Sequence, residues 1–566
     1  MPARPLIIGL HREEASSTCF LEASPSRLDF DLIIRERLTR VKRDRDWLYR
    51  TLAGERERWS TRALRVAETS YGESAAENAL GANKRFPLRE CLRVQGLEAF
   101  SPLTSAGVRF LTHHRCHAAA AAAVSPFDRA LVFVMDGLGS RADAFEPRHP
   151  EAAWSRGRRG RAERLSAYVW RNRRLDCVQK QWQGLDRGRR DLFSIPGVSW
   201  GTVFEILSAY IFGDKSQAGK VMGLAPFGQA LPAARFRDLR RWMPKEKAFK
   251  GRGKSDWERS EHFHLYADLA ATLQALYERD FLTFAAALRQ QTGETRLILA
   301  GGCALNCVAN QALLKSGLFD EIYVPPFPGD EGVSLGAAVL LALEGSARRA
   351  VEPRGWDEQT SFFGPRRPAA TLAQARELFP GERVSRPADL ALKAGRALAK
   401  GRLVAVFRGR SESGPRALGH RSLLANPARP GIRERLNGEV KGRESFRPYG
   451  GTVLDGYQHV YFEVERSFRS PFMNFAPAAR DEWAERLAGI VHVDGTSRVQ
   501  TLHRRQDRFF HDVIRRFGER SGFFCVLNTS LNVMGEPIAE TPQDAARFFA
   551  RAPVDHLVLD DLWITR

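Results

Sequence analysis

Short apolar runs, each closed by a glycine turn and followed by a helical pattern, punctuate this chain. Residues 6–10 read as one strand. Residues 130–135 (A-L-V-F-V-M) read as a stronger one, ending in Asp136-Gly137-Leu138-Gly139. Residues 296–300 form a third, followed by Gly301-Gly302 and a helix expected to begin near Ala304. Strand, glycine turn and helix in that order is the local grammar of α/β domains that hold phosphates or nucleosides at the carboxyl ends of their strands. Residues 334–343 (S-L-G-A-A-V-L-L-A-L) read as a buried helix whose small residues allow close packing. Thr112-His113-His114-Arg115-Cys116-His117 and the alanines after it open another helix. Between residues 344 and 370 the pattern gives way to Arg, Pro and Gly, the mark of a linker. Residues 389–399 then read as a helix and 403–407 as a strand. The expected division is a first unit over 1–345, a linker over 346–386 and a second unit over 387–566. No internal repeat of roughly 20 to 50 residues is visible.

Composition narrows the class. A chain of 566 residues is too long for one core, so two or three domains are expected. A hydrophobic share of 43% with 29 prolines describes a soluble globular protein. No apolar run approaches the roughly 18 residues that span a bilayer, and residues 1–9 lack the order of a signal peptide, so a cytoplasmic location is expected. The seven cysteines form no C-x-x-C pair, which argues for a reducing compartment. Cys303 and Cys307 are spaced to touch a metal on a helix face, but small core residues are the better reading.

A formal charge of +21 would ordinarily point to nucleic acid or an anionic membrane. The cations are 74 arginines and only 13 lysines, a preference that reads as coding bias towards GC-rich codons. The densest cluster, residues 155–164, reads as a solvated loop rather than a nucleic-acid patch.

Chemistry concentrates in residues 409–449, where G-R-S-E-S-G-P-R-A-L-G-H-R-S is followed by K-G-R-E-S-F-R-P-Y. Arg410, Arg416, Arg421, Lys441, Arg443 and Arg447 in a cleft require a strongly anionic counterpart, and guanidinium forks match phosphate oxygens bidentately. A solvated basic loop is the alternative; Leu418, Leu423, Leu424 and Phe446, interleaved with the charges, argue for packing. In the first half, His113 and His117 are four apart on one helix face, close enough to grip one ion, whereas His114 points about 100° away. Its replacement is therefore expected to be silent. Residues 329–332 (G-D-E-G) place a candidate carboxylate, Asp330, on a turn just before the buried helix.

G-P-R-A-L-G-x-R-S, K-x-R-E-x-F-R-P and the N-T-S-L-N of residues 528–532 resemble the O-carbamoyltransferases of the NodU/CmcH type, with motifs in both halves of the chain. The resemblance implies an actin-like ATPase (ASKHA) superfold followed by a YrdC-like domain, α/β overall and α+β in the C-terminal part. It implies transfer of a carbamoyl group from carbamoyl phosphate, through carbamoyl-AMP, to a hydroxyl of a small secondary-metabolite or sugar-like acceptor. ATP with Mg2+ would be the co-substrate. A divalent metal, iron by resemblance, would be held by His113, His117 and Asp330, with Asp136 of the D-G-x-G turn approaching the same site.

Residues 219–226 and 301–306, with Lys220, Gly301, Gly302 and Asn306, match two signatures lining the nucleotide cleft; on its own Lys220 reads equally well as a surface lysine. His11 and Lys220 would join Asp136 as catalytic groups. The opening turn departs from the family: His11 is followed by Arg12 rather than Asp, which leaves the general base open. In the second half, Lys441 with Arg443 and Ser530 with Asn532 match the nucleotide-binding pairs. Arg416, Arg447, Arg498 and Asn528 match carbamoyl- and phosphate-contacting positions. His420 and the residues after Tyr449 depart from the family without changing its charge. The acceptor pocket is expected between residues 154 and 199 and near 242–261. A homodimer is left open; no membrane partner is expected. A competing reading, a tRNA-binding protein of a threonylcarbamoyl-type pathway, draws on the net charge, and both halves in one chain speak against it.

Overall fold

The computed structural model describes residues 6–11, 17–23, 28–34, 37, 64–69, 108–145, 149–184, 197–232, 263–344 and 355–566. The first sheet is built from β1 (Leu6–His11), β2 (Ser17–Ala23), β3 (Leu28–Ile34), β4 (Leu64–Thr69) and β5 (Val108–Phe110), in the order β3-β2-β1-β4-β5. β1–β2 and β2–β3 are antiparallel; β1–β4 and β4–β5 are parallel. The second sheet uses β6 (Arg129–Met135), β7 (Arg161–Arg171), β8 (Arg174–Gly184), β9 (Arg296–Ala300) and β10 (Glu321–Tyr323). Its order, β8-β7-β6-β9-β10, has the same directions strand for strand. The first half of the chain is thus a topological duplication.

Equivalent helices join the two copies. Helix α1 (His113–Val124) follows β5, and α6 (Val333–Leu343) follows β10. Between them in the chain lie α2 (Trp200–Phe212), α3 (Ala218–Leu224), α4 (Phe263–Thr292) and α5 (Cys307–Lys315). α1 packs on the second sheet, α6 on the first, and the two helices on each other. The run of alanines in α1 makes this possible, because small side chains let backbones approach. At Gly336 of α6 an added Cβ would lie 1.8 Å from the Cys116 carbonyl oxygen. The uniformly apolar β6 is explained by cover on both faces. Ala130, Val132 and Val134 face the α1/α6 layer, whereas Leu131, Phe133 and Met135 face α2 and α4.

The second half centres on one eight-stranded sheet: β11 (Arg383–Ser385), β12 (Val404–Phe407), β13 (Arg421–Ala425), β14 (Gly450–Leu454), β15 (Arg498–Leu502), β16 (Cys525–Ser530), β17 (His556–Leu559) and β18 (Leu562–Thr565). They are ordered β11-β18-β17-β12-β13-β16-β14-β15. The stretch 346–386, read from composition as a linker, carries structure where it is described. Leu372–Leu378 is a helix with a Thr371/Gln374 capping box, and β11 pairs with the final strand. The Ala370 N–H donates to Asp560 at 2.8 Å. Its Pro and Gly content hid a short edge strand whose pairing partner lies at the far end of the chain.

The halves touch directly. Arg410 donates to Asp31 of β3 at 2.6 Å and to the Phe30, Phe363 and Gly364 carbonyls. The Asn474 amide donates to the Val324 and Pro325 carbonyls. Gly414, at φ +98°, passes so close that a Cβ there would lie 1.9 Å from the Pro326 oxygen. Only glycine fits.

Candidate metal centre and basic cleft

His113 and His117 occupy the first turns of α1 and point together, with Nε2 atoms 3.0 Å apart. The turn before α6 brings Asp330, whose Oδ1 is 3.4 Å from both imidazole nitrogens. Asp136, just beyond β6, brings Oδ2 to 3.1 Å from His113 and 3.4 Å from His117. Asp136 is therefore a member of the cluster and not merely a neighbour of it. Two imidazole nitrogens and two carboxylate oxygens, all within 4.8 Å of one another, form a donor set suited to a divalent transition metal. The duplicated fold explains the convergence: the histidines and Asp330 come from equivalent helix starts, and Asp136 follows β6 as His11 closes β1.

Burial lowers the proton affinity of His113, but Asp136 and Asp330 outweigh it and raise its pKa to about 10. Burial and the neighbouring His113 oppose His117, which the same carboxylates nonetheless raise. Burial and Asp330 push Asp136 up, and the two imidazoles more than reverse this. The Gly302 N–H donates to Asp136 Oδ1 at 2.9 Å, which aims the other oxygen at the histidines. Gly301, at φ +87°, lets β9 end against β6, since a Cβ would lie 2.2 Å from the Met135 oxygen.

On the far side of the Asp330 turn lies a cluster of cations from the second half. Arg416 is electrostatically coupled to Glu331, to Arg447 and to Cys307 at the start of α5. Burial lowers Arg498 to about 9, with Arg416 and Arg447 adding to the effect. Burial lowers Arg443 to about 10, against the Tyr449 ring 4.1 Å beneath it. Burial drives Lys441 well below the ordinary lysine value, with Arg443 and Arg447 contributing. Its ammonium donates to the Ser530 carbonyl and to Asn532 O at 2.8 Å. Ser530 Oγ donates to Asn532 Oδ1 at 2.6 Å. Among the described residues the Nε atoms of Arg416 and Arg498 are buried without a hydrogen-bond partner. Cations crowded in this way are costly unless an anion joins them.

Other residues singled out from sequence are engaged differently. Lys220 pairs with Glu444 of the K-G-R-E motif at 2.6 Å and lies over the Phe212 ring, so it ties the halves together. Asn306 caps α5 by accepting the Ala309 N–H, and its amide group exchanges hydrogen bonds with Gln274, which leaves little of it for a nucleotide. Asn528 braces the sheet by donating to Ala417 O and Thr452 Oγ1. Arg421, fully buried, donates to the carbonyls of Arg408 and Gly409 and stacks on Phe407; like Arg410 it is a strut, not a ligand-facing cation. His114 is not an exposed control either, because its ring is buried and its Nδ1 meets Ser166 Oγ at 2.9 Å. His11 ends β1 opposite Ser17; its side chain lies outside the described residues.

Sequence reading missed several parts. Arg37 donates to the Glu412 and Gly414 carbonyls, and the Glu412 carboxylate accepts the N–H groups of Leu418, His420 and Arg421. These two residues shape the basic loop. The carbonyl of Gly137 accepts from Thr202 and Gln183. Of the segment 154–199, expected to line an acceptor pocket, the described residues are largely the β7–β8 hairpin; residues 185–196 and 242–261 lie outside the described residues. No helix among the described residues is long and apolar enough to cross a membrane.

Comparison with known proteins gives matches in both halves. Residues 65–339 match the family described as carbamoyltransferase N-terminus, and residues 395–566 that described as carbamoyltransferase C-terminus. Nodulation protein NolO of Bradyrhizobium diazoefficiens is 32% identical over 455 residues, covering 79% of this chain and 78% of NolO. The 3'-hydroxymethylcephem-O-carbamoyltransferase of Amycolatopsis lactamdurans is 31% identical over 365 residues, 62% of this chain and 65% of that one. Nodulation protein U of Rhizobium tropici is 32% identical over 274 residues, 48% of this chain and 44% of that one.

Proposed function

The chain belongs to the carbamoyltransferase family, as an enzyme of the NodU and cephem O-carbamoyltransferase type, and from that premise we propose an ATP-dependent transfer in two steps. The second half, read as YrdC-like, hydrolyses carbamoyl phosphate with one water to carbamate and phosphate, and the carbamate oxygen then attacks the α-phosphorus of ATP, which forms carbamoyl-AMP and releases pyrophosphate. The first half, read as actin-like on the strength of its duplicated sheets, passes the carbamoyl group of carbamoyl-AMP to a hydroxyl of a small acceptor.

The observation that carries this reading is the crowd of half-buried cations, in which the Nε atoms of Arg416 and Arg498 lack a hydrogen-bond partner and Arg447 has to share Glu444 with Lys220. Two polyanions repel each other, and fixed cations in a dry cleft offset that repulsion without reorganising during reaction. Arg416, Arg447 and Arg498 supply the charge; Lys441, Ser530 and Asn532 form a polar cradle beside it. Arg416 is electrostatically coupled to Glu331, next to Asp330, which supports passage of the labile mixed anhydride from these cations to the first half.

His113, His117, Asp136 and Asp330 would hold the divalent metal, iron by resemblance, which when bound supplies Lewis acidity towards the carbamoyl oxygen. Gly302 and the α1/α6 packing keep those donors aimed at one point. Lys220 holds the two halves in register through Glu444.

The test is pyrophosphate release with and without carbamoyl phosphate in the full chain. Release should require carbamoyl phosphate, and Arg498→Ala should slow it by roughly 30-fold or more, the loss expected for one preorganised cation. His117→Ala should lose bound metal and carbamoylated product while pyrophosphate release persists. Release independent of carbamoyl phosphate would refute the adenylating step.

A further inference from the structure

Helix α1 begins without a cap of its own. Its N-cap residue, Thr112, makes no side-chain cap, and no acidic residue lies in the first turn. Uncapped N–H groups at a buried helix start are costly, and here that start carries both metal-site histidines. The missing acceptor comes from across the second sheet. The His113 N–H donates to Ser140 Oγ at 2.8 Å. Ser140 is in turn fixed by Glu163 of β7. Its N–H donates to Glu163 Oε2 at 2.9 Å, its carbonyl accepts the Glu163 N–H at 3.0 Å, and the Gly139 N–H donates to the Glu163 carbonyl at 2.9 Å. Glu163 Oε2 also stands 3.5 Å from the His114 N–H.

Glu163 is wholly buried and is balanced by Lys180, which is buried as well and donates also to Ser166 Oγ and Tyr168 Oη, each at 3.1 Å. Glu151 pairs with Lys180 at 2.9 Å and with Arg115 of α1 at 2.9 Å, so it ties the same network to the helix. A buried ion pair of this kind contributes little net stability, so its presence here calls for a positional role.

We propose that Ser140, braced by the Glu163–Lys180 pair, is the positioning device of the His113/His117 centre: it caps α1 from outside the helix and fixes the depth and rotation at which both imidazoles meet Asp136 and Asp330. The proposal rests on the metal reading above, and the experiment separates the two.

The probe is Co2+ alone, titrated into the metal-free full chain and followed by its visible absorption bands. Wild type should bind, and Asp330→Asn should not. Ser140→Ala and Glu163→Gln should each weaken Co2+ by about 10- to 100-fold, the cost usual for losing a partner behind a metal ligand, and should shift the bands. Asp560→Asn breaks a partly buried ion pair with Arg367 in the second half, away from this network, so it should lower the melting temperature and leave Co2+ affinity and bands unchanged. Should Glu163→Gln fail to fold, Ser140→Ala decides. Unchanged affinity and bands in Ser140→Ala, or equal weakening in Asp560→Asn, would overturn the positioning role while leaving the metal reading intact. Absence of Co2+ binding in wild type would overturn both.

Discussion

The Lys220 ammonium lies 2.6 Å from the Glu444 carboxylate, and this contact joins the G-K-V-M-G-L-A-P helix of the first half to the K-G-R-E-S-F-R-P loop of the second. Both side chains are largely buried. Lys220→Met leaves Glu444 to the longer contact with Arg447 at 3.8 Å and should cost about 2 kcal/mol, in the range for a charged hydrogen bond. The double variant Lys220→Met/Glu444→Leu should recover part of that loss. Thermal unfolding of the three variants checks it, and additive losses would mean that the pair is not coupled.

The arginines should divide into two classes. Arg498 and Arg416 are half-buried cations that crowd each other, so Arg498→Ala should leave the melting temperature unchanged or raised while abolishing most pyrophosphate release. Arg421→Ala removes a strut from the carbonyls of Arg408 and Gly409 and should destabilise by about 2–4 kcal/mol, through the unsatisfied groups it leaves. Measuring melting temperature and activity together distinguishes the classes. A stability loss in Arg498→Ala as large as in Arg421→Ala would remove the distinction.

Gly336→Ala should damage the metal centre from a distance. The added methyl would stand 1.8 Å from the Cys116 oxygen, so α1 and α6 must separate. Overpacking of this kind costs about 1–3 kcal/mol, and here it also moves Asp330 away from His113 and His117. Metal content per folded chain should fall; a variant that melts earlier but retains full metal content would show that the helices adjust without disturbing the site.

Acid stability should depend on Glu151. Burial raises its carboxyl, but Lys180 and Arg115 outweigh burial and hold it at about 2, below the ordinary value of 4.5. As pH falls, the unfolded chain takes up this proton first. The contribution is therefore fully present above about pH 4.5 and is lost as pH falls towards 2, a change of about 3 kcal/mol. Wild type and Glu151→Gln, unfolded by urea at a series of pH values, should differ most above pH 4.5 and converge below it. A constant difference across that window would mean that Glu151 does not titrate there.

Much of the local structure was legible from patterning. The strand at residues 130–135, the helix at His113 and the helix after Asp330 each follow from periodicity and glycine punctuation, because those signals act over neighbouring residues. The pairing of His113 with His117 was legible for the same reason, since a helix alone fixes the four-residue spacing.

Sequence by itself thus determined the local elements, the family and the residue types able to do the chemistry. Only the tertiary structure decided which of them meet. Asp136 joins the histidines because β6 and α1 are packed together, and no local pattern carries that information. The duplicated sheets share strand order and direction without a visible repeat of residues, since a sheet constrains burial and hydrogen bonding far more than side-chain identity. Arg410 and Arg416 look alike in the chain, yet Arg410 finds Asp31 and three carbonyls, whereas Arg416 is left among other cations. A guanidinium becomes a strut or an anion site according to the acceptors folding brings to it, and for Arg410 those acceptors lie between 46 and 380 residues away in the chain.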